Sequence, residues 1–173
     1  MADEATDPES EELVSRAPVE DDLVLICRRL NELGARYLVC GGFAIIRAGY
    51  PRFTSDIDLL VDSSLENEAK VFRALEILPD KAVRELDPGD IAKHVVCRVG
   101  DEVLVDLMGA ASGINYAEAE KSIVVREVQG VRIPFASPQL LWRMKRNTHR
   151  EKDAPDLLFL RQLFEADGIT PPE

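Results

Sequence analysis

Three aspartates lie in apolar sequence, where a charged side chain has few partners. Asp56 and Asp58 flank Ile57 in the run DIDLLVD, and Asp106 lies within VLVDLM. Residues i and i+2 of a β-strand point to the same face, so we expect the carboxylates of Asp56 and Asp58 side by side. If the strand carrying Asp106 lies beside theirs, three carboxylates converge. Such oxygen ligands suit Mg²⁺ or Mn²⁺, and pairs of these ions are used in phosphoryl transfer.

A pair of glycines precedes the aspartates. Gly41 and Gly42 separate a short apolar strand pattern at 37–40 from a helical pattern at 43–48. A strand–glycine–helix turn lets backbone amides approach a phosphate closely, and the helix dipole favours the negative charge there. Phosphate binding on one side and metal ligands on the other predict a site for a nucleoside triphosphate.

These motifs resemble those of a known superfamily. The segment LVCGGFAIIRAGYPRFTSDIDLLVD is similar to the nucleotide-binding motif of the DNA-polymerase-β-like nucleotidyltransferases. Residues 37–160 resemble more narrowly a bacterial subgroup of small nucleotidyltransferases, which includes toxin components of abortive-infection systems. The positions that match the motifs of this subgroup are Gly41, Gly42, Ala44, Gly49, Arg52, Thr54, Asp56, Asp58, Asp106, Lys145, Lys152, Asp153 and Asp156.

The resemblance implies a reaction and a set of site residues. A nucleoside monophosphate would pass from a nucleoside triphosphate (NTP), the co-substrate, to an acceptor hydroxyl, and pyrophosphate would leave. Asp56, Asp58 and Asp106 would be the catalytic residues and the ligands of Mg²⁺ or Mn²⁺. The residues implied to bind the nucleotide are Gly41, Gly42, Arg52, Thr54, Ser55 and Lys145.

The sequence leaves the acceptor open between tRNA, a protein and a small molecule. The segment 143–152 (RMKRNTHREK) holds five basic residues and one acidic residue. It is therefore either a solvated helix face or a positively charged surface that binds an anionic acceptor. A toxin would also imply an antitoxin as partner. The alternative prediction, favoured by the short C-terminal region, is a catalytically silent nucleotide-binding or partner-binding module of the same fold.

Periodicity predicts the elements that must position these residues. Strands are expected at 37–40, 54–62, 94–99, 102–108, 123–128 and 131–134, and helices at 20–33, 43–48, 65–78, from Ser137-Pro138 onward and at 153–164. Gly100-Asp101 fits a tight hairpin turn, and His94 is expected in the core. The order predicts an α/β (α+β) fold with a short mixed β-sheet flanked by helices.

Composition limits the class of protein. The 173 residues carry a net charge of -11, of which residues 1–22 contribute -8. We therefore predict a disordered acidic tail at 1–19 and a nucleotidyltransferase domain at 20–173. No apolar run reaches the roughly 18 residues of a membrane span, and the acidic N-terminus does not resemble a signal peptide. Three cysteines in apolar contexts are expected to be free and buried, as in a cytoplasmic protein.

Overall fold

The computed structural model describes residues 14–173. The helices are α1 (Glu20–Glu32), α2 (Gly41–Ala48), α3 (Leu65–Leu75), α4 (Asp90–Lys93), α5 (Tyr116–Ala119), α6 (Pro138–Lys145) and α7 (Ala154–Ala166). The strands are β1 (Tyr37–Cys40), β2 (Asp56–Val61), β3 (Cys97–Gly100), β4 (Leu104–Met108), β5 (Ala110–Ala111), β6 (Ile114–Asn115), β7 (Ile123–Val128) and β8 (Val131–Ala136). Short 3₁₀ turns cover Ala82–Glu85, Glu120–Ser122 and Glu151–Asp153.

Six of the strands form one mixed sheet in the order β3-β4-β2-β1-β8-β7. The β2–β4 and β1–β8 pairs are parallel, and the other neighbouring pairs are antiparallel. Helix α1 packs against α3 and β8, whereas α2 packs against β2 and α6. The predicted mixed α/β fold with flanking helices is confirmed.

The core is mainly aliphatic, as the low aromatic content requires. The face of α1 that carries Leu23, Ile26 and Leu30 at helical spacing is buried, as predicted. Complete burial of one such side chain contributes roughly 1.5–3 kcal/mol. Trp142 is also buried, and the thiols of all three cysteines are free and buried.

The chain departs from the predicted elements around the site. Helix α2 begins at Gly41, so both glycines lie in its first turn. Strand β3 begins at Cys97, because Asp90–Lys93 forms a helical turn that carries the following residues away from the sheet. The prediction of a buried His94 is therefore wrong, since the side chain of His94 is exposed.

The hairpin between β3 and β4 also differs from the tight turn predicted at Gly100-Asp101. Gly100 pairs with Leu104, so the connection contains three residues, 101–103. The reason is Asp101, which is buried and accepts hydrogen bonds from the amides of Asp80 (3.0 Å) and Ala82 (2.9 Å). A buried carboxylate that is held by the neighbouring loop cannot occupy an exposed turn position.

The predicted acidic tail lies mostly outside the described residues, since residues 1–13 are among those not described. Residues 14–19 form neither helix nor strand. The Ser15 hydroxyl donates to the Asp101 carbonyl oxygen at 2.6 Å, and the Arg16 amide donates to the Glu102 carbonyl oxygen at 3.0 Å. Among residues 14–173, none of the helices has the length and apolar character needed to cross a bilayer.

Candidate active site

Strand register brings the three aspartates together. In the parallel β2–β4 pair, Asp58 lies directly opposite Asp106, and Asp56 lies two residues before Asp58 on the same face. Ile57 and Leu59 point the other way and are completely buried, which fixes the orientation of the acidic face. One carboxylate oxygen from each aspartate lies within 4.8 Å of the other two. The cluster could therefore hold a metal ion.

The two glycines of α2 are required by contacts at the same end of the sheet. A Cβ atom at Gly41 would lie 2.0 Å from Asp58 Oδ2, and the φ angle of Gly41 is +62°. A Cβ atom at Gly42 would lie 2.4 Å from Thr54 Oγ1. Thr54 is itself fixed, because its hydroxyl donates to the Asp56 carbonyl oxygen at 3.0 Å. The first turn of α2 therefore lies directly against the residues that begin β2.

Negative charge accumulates at Asp58. Burial, followed by the repulsion of Asp56 and Asp106, raises the pKa of Asp58 from 3.8 to about 7, while the positive charge of Lys145 acts in the opposite direction. A carboxylate that resists ionisation in this way has an environment that a cation would relieve. Three oxygen donors and an excess of negative charge fit a hard divalent cation such as Mg²⁺ or Mn²⁺.

The raised pKa of Asp58 predicts a specific pH dependence of stability. Between its unfolded value of 3.8 and its folded value of about 7, Asp58 takes up a proton on folding. The stability that Asp58 contributes by taking up this proton should be complete below about pH 4 and should be lost as the pH rises to about 7, a change on the order of 4 kcal/mol. Asp58→Asn should lack this decline and should be more stable than the wild type at about pH 8 in buffer that contains a chelator.

Urea unfolding of both proteins between about pH 5 and pH 8 measures this difference. The free energy of unfolding of the wild type, minus that of Asp58→Asn, should become more negative as the pH rises. The exposed Asp80→Asn serves as the control, because it changes the same group at the surface. A difference between wild type and Asp58→Asn that is constant with pH would contradict the prediction.

Sequence reasoning missed Arg98, which contacts the acidic cluster from β3. Its Nε lies 2.8 Å from Asp106 Oδ1, and its Nη2 donates to Asp106 Oδ2 at 2.9 Å and to Asp56 Oδ2 at 3.2 Å. The hydrogen bond to Asp106 raises the pKa of Arg98 above its usual range. The sequence did carry a signal for Arg98, since it is a charged residue within the apolar run HVVCRVG. The tight hairpin predicted at Gly100-Asp101, however, would not have placed Arg98 opposite Asp106.

A second group of charged residues lines the same cleft as the three aspartates. Lys145 Nζ lies 3.0 Å from Asp153 Oδ1 and 3.3 Å from Asp156 Oδ2, and all three residues are buried. Arg52 Nη2 donates to Asp156 Oδ2 at 2.9 Å. Burial alone would raise the pKa of Asp153, but hydrogen bonds from Thr148 and Lys145 lower it to about 2. Through these ion pairs, Asp153 and Asp156 connect α7 and the turn before it to α6 and to the loop before β2. Their role is therefore larger than the capping of one helix.

The predicted site residues line one open cleft of about 680 Å³. They are Gly41, Gly42, Arg52, Thr54, Ser55, Asp56, Asp58, Asp106 and Lys145. The same cleft is lined by Arg98 and by Phe53, Val95 and Val96, whose side chains are exposed. This volume is in the range that accommodates small-molecule ligands and cofactors.

Comparison with known proteins shows the fold. No family model matches the chain, and no curated protein matches it. A Thermotoga maritima protein provisionally assigned as a nucleotidyltransferase is 17% identical, with coverage of 88% of this chain and 92% of that chain and a TM-score of 0.46. An antigenic nucleotidyltransferase-like protein from Paracoccidioides brasiliensis is 18% identical, with coverage of 89% and 77% and a TM-score of 0.50. The similarity to this second structure, together with the sheet described above, shows that the chain has the fold of the nucleotidyltransferases.

Proposed function

We propose that this protein is a metal-dependent nucleotidyltransferase, which moves a nucleoside monophosphate from an NTP to an acceptor hydroxyl. The observation that carries the proposal is the position of the acidic cluster. Asp56, Asp58 and Asp106 converge directly against the first turn of α2, where Gly41 leaves no room for a side chain. Metal ligands and a phosphate-binding turn in contact with each other are what transfer of a nucleotidyl group needs.

In the proposed reaction, the acceptor oxygen attacks the α-phosphorus of the NTP. The bond between the α-phosphorus and the oxygen that bridges to the β-phosphorus breaks, and pyrophosphate leaves with that electron pair. Asp106 accepts the proton of the acceptor hydroxyl or directs it to solvent. Asp56, Asp58 and Asp106 would hold the divalent cations, which, when bound, neutralise charge on the phosphates and increase the acidity of the acceptor hydroxyl.

The remaining residues of the cleft act on the triphosphate. The backbone amides of Gly41 and Gly42 at the start of α2 receive the β- and γ-phosphates, aided by the helix dipole. Lys145 and Arg52 supply positive charge, and both are oriented by Asp156. Ser55 is exposed at the cleft and offers a hydroxyl to the same ligand. Such preorganised donors stabilise the charge that develops in the transition state.

For the acceptor, we propose a polyanion such as tRNA. Arg150 and Lys152 line the cleft, and both are exposed. Positive charge at the mouth of the cleft attracts a nucleic acid even though the whole chain is acidic. A protein or a small-molecule acceptor is the competing hypothesis. A toxin role with an antitoxin partner is a separate hypothesis, which fits either tRNA or a protein as the target. Expression in a bacterial host should slow growth if the toxin hypothesis holds, and Asp56→Asn should abolish this effect.

Thermal unfolding tests the proposal without knowledge of the acceptor. The protein is heated with each of the four ribonucleoside triphosphates, with and without Mg²⁺. A ligand at 100 times its dissociation constant adds about 2.7 kcal/mol to the free energy of unfolding, which is a rise of several degrees for a domain of this size. We expect a rise that requires both Mg²⁺ and a triphosphate.

The same experiment separates the alternative. A metal-dependent rise with no transfer of α-³²P label to total tRNA, to total protein, to the small molecules of a cell extract or to the enzyme itself would favour a silent nucleotide-binding module. No rise with any triphosphate, in Mg²⁺ or in Mn²⁺, would contradict nucleotide binding and favour a module that binds a partner protein.

A further inference from the structure

Arg98 reaches the acidic cluster because of its position on the edge strand of the sheet. In the antiparallel β3–β4 pair, Arg98 lies directly opposite Asp106, which in turn lies opposite Asp58. Residues that are directly opposite in neighbouring strands project from the same face of a sheet. Cys97 and Val99 are buried on the other face. The backbone therefore fixes the Arg98 side chain on the face of the three aspartates.

The guanidinium of Arg98 binds two of the three aspartates. It makes two hydrogen bonds to Asp106, through Nε to Oδ1 at 2.8 Å and through Nη2 to Oδ2 at 2.9 Å. The same Nη2 donates to Asp56 Oδ2 at 3.2 Å. Paired hydrogen bonds between arginine and a carboxylate are among the strongest polar interactions in proteins. Both oxygens of Asp106 and one of Asp56 are thus committed to Arg98.

A divalent cation in the acidic cluster would meet Arg98 at both oxygens of Asp106 and at one oxygen of Asp56. A guanidinium has only N–H donors and keeps its charge at every physiological pH, so a divalent cation on the same carboxylates meets the repulsion of a like charge and finds lone pairs of Asp106 and Asp56 already occupied. Arg98 and the cation therefore compete for Asp106 and Asp56. By linkage, each must weaken the binding of the other by the same factor.

Arg98 differs from the other cations of the cleft in what it can do after release. Lys145 is held in a buried position by Asp153 and Asp156, which lie outside the acidic cluster. The side chain of Arg98 is 55% exposed, and its partners are the proposed metal ligands themselves. A guanidinium displaced from a carboxylate matches the geometry of phosphate oxygens equally well.

We propose that Arg98 exchanges partners in the reaction cycle. It neutralises Asp106 and Asp56 before a divalent cation binds, and it binds a phosphate oxygen of the nucleoside triphosphate once the cation has displaced it. The second half of this exchange rests on the proposed nucleotidyl transfer. Arg98 thereby makes firm binding of the triphosphate depend on prior loading of the metal.

Mn²⁺ titration in the absence of nucleotide tests the first half. Free Mn²⁺ is followed by its electron paramagnetic resonance signal with wild type, Arg98→Gln and the control Arg84→Gln. Arg84 is an exposed arginine that pairs with Glu76 and does not line the cleft, so its loss changes the net charge equally. We expect Arg98→Gln to bind Mn²⁺ about tenfold more tightly, the equivalent of one charge-assisted hydrogen bond, and Arg84→Gln to match the wild type.

Binding of the α,β-methylene analogues of the four NTPs at saturating Mn²⁺ tests the second half. Arg98→Gln should bind the preferred analogue about tenfold more weakly than the wild type. Arg98→Lys keeps the charge but loses the planar fork, so it should recover part of this affinity. Thermal unfolding in chelator confirms that each variant is folded.

The outcomes separate this inference from the proposed function. Mn²⁺ affinity of Arg98→Gln that equals or falls below that of the wild type overturns the exchange, whether or not the wild type transfers nucleotides. Tighter Mn²⁺ binding with unchanged affinity for every analogue overturns its second half. Tighter Mn²⁺ binding by Arg98→Gln together with the absence of label transfer by the wild type supports the competition and contradicts the proposed function alone.

Discussion

The variant with both Asp56→Asn and Asp58→Asn should lose nucleotidyl transfer by on the order of a thousandfold or more, while it stays folded. The two carboxylates are the side-by-side members of a cluster whose oxygens lie within 4.8 Å of one another. Asparagine keeps the shape of each side chain but removes the charge that would hold the cation. Loss of one electrostatic contact in a transition state already costs about a hundredfold to a thousandfold.

Two measurements check this expectation. One is transfer of α-³²P label to the acceptor pool, and the other is the Mg²⁺-dependent rise in unfolding temperature with a triphosphate. Both should disappear in the double variant and persist in Asp80→Asn, which changes an exposed aspartate away from the cleft. Full label transfer by a folded double variant would falsify the proposed role of the acidic cluster.

The fold of the double variant should not be weaker than that of the wild type. The two substitutions remove the burial of a charge at Asp58 and its repulsion with Asp56 and Asp106, which are the causes that raise the pKa of Asp58 in the wild type. A loss of activity combined with equal or greater stability distinguishes a functional role of these residues from a structural one. A cooperative urea transition of the variant in chelator at about pH 8 provides that comparison.

Lys145→Met should lower the free energy of unfolding by about 3 kcal/mol. Lys145 is buried between two carboxylates, and its removal leaves the buried charges of Asp153 and Asp156 less compensated. Loss of one partner from a buried ion pair typically costs about 3–5 kcal/mol. In the variant, Asp153 still pairs with Arg150, and Asp156 still pairs with Arg52. We therefore expect a cost at the lower end of this range.

Urea unfolding of Lys145→Met, Lys121→Met and the wild type measures this cost. Lys121 is an exposed lysine outside the cleft, so its replacement should change stability by less than about 0.5 kcal/mol. A double-mutant cycle with Asp153→Asn should give a coupling of at least about 1 kcal/mol, since the two charges are in contact. Unchanged stability of Lys145→Met would contradict a structural role for its ion pairs.

The Lys145 network also shows how a sequence motif can be identified while its contacts stay hidden. The resemblance implied that Lys145 binds phosphate, and separate reasoning gave Asp153 and Asp156 a sufficient role at the start of the last helix. Their pairing depends on how α6 packs against α7 and the turn that precedes it. No pattern of spacing encodes the distance of 3.0 Å between Lys145 Nζ and Asp153 Oδ1.

The hairpin between β3 and β4 gives the opposite example, in which local reasoning was wrong. Gly100-Asp101 has the composition of a two-residue turn, and turn preferences are a local property of the chain. Asp101 instead bonds to the amides of Asp80 and Ala82, which are distant in sequence. This contact lengthens the connection and changes the register of β3, which brings Arg98 opposite Asp106.

The sequence by itself determined the features that depend on neighbouring residues. The alternation of DIDLLVD placed Asp56 and Asp58 on one face, and the periodicity of α1 identified its buried side. The pair Gly41-Gly42 predicted the turn between a strand and a helix. These features follow from strand and helix geometry, which is the same in every protein and can be applied to a sequence alone.

Only the tertiary structure decided which of these pieces meet. Asp106 joins Asp58 because β2 and β4 pair in parallel with that register, and Arg98 joins both because β3 pairs with β4. Strand order and register are set by the burial of the whole core, since a shift by one residue would expose Ile57 and Leu59 and bury the acids. The charges that decide the chemistry of this cleft were therefore positioned by the apolar residues on the other face of the sheet.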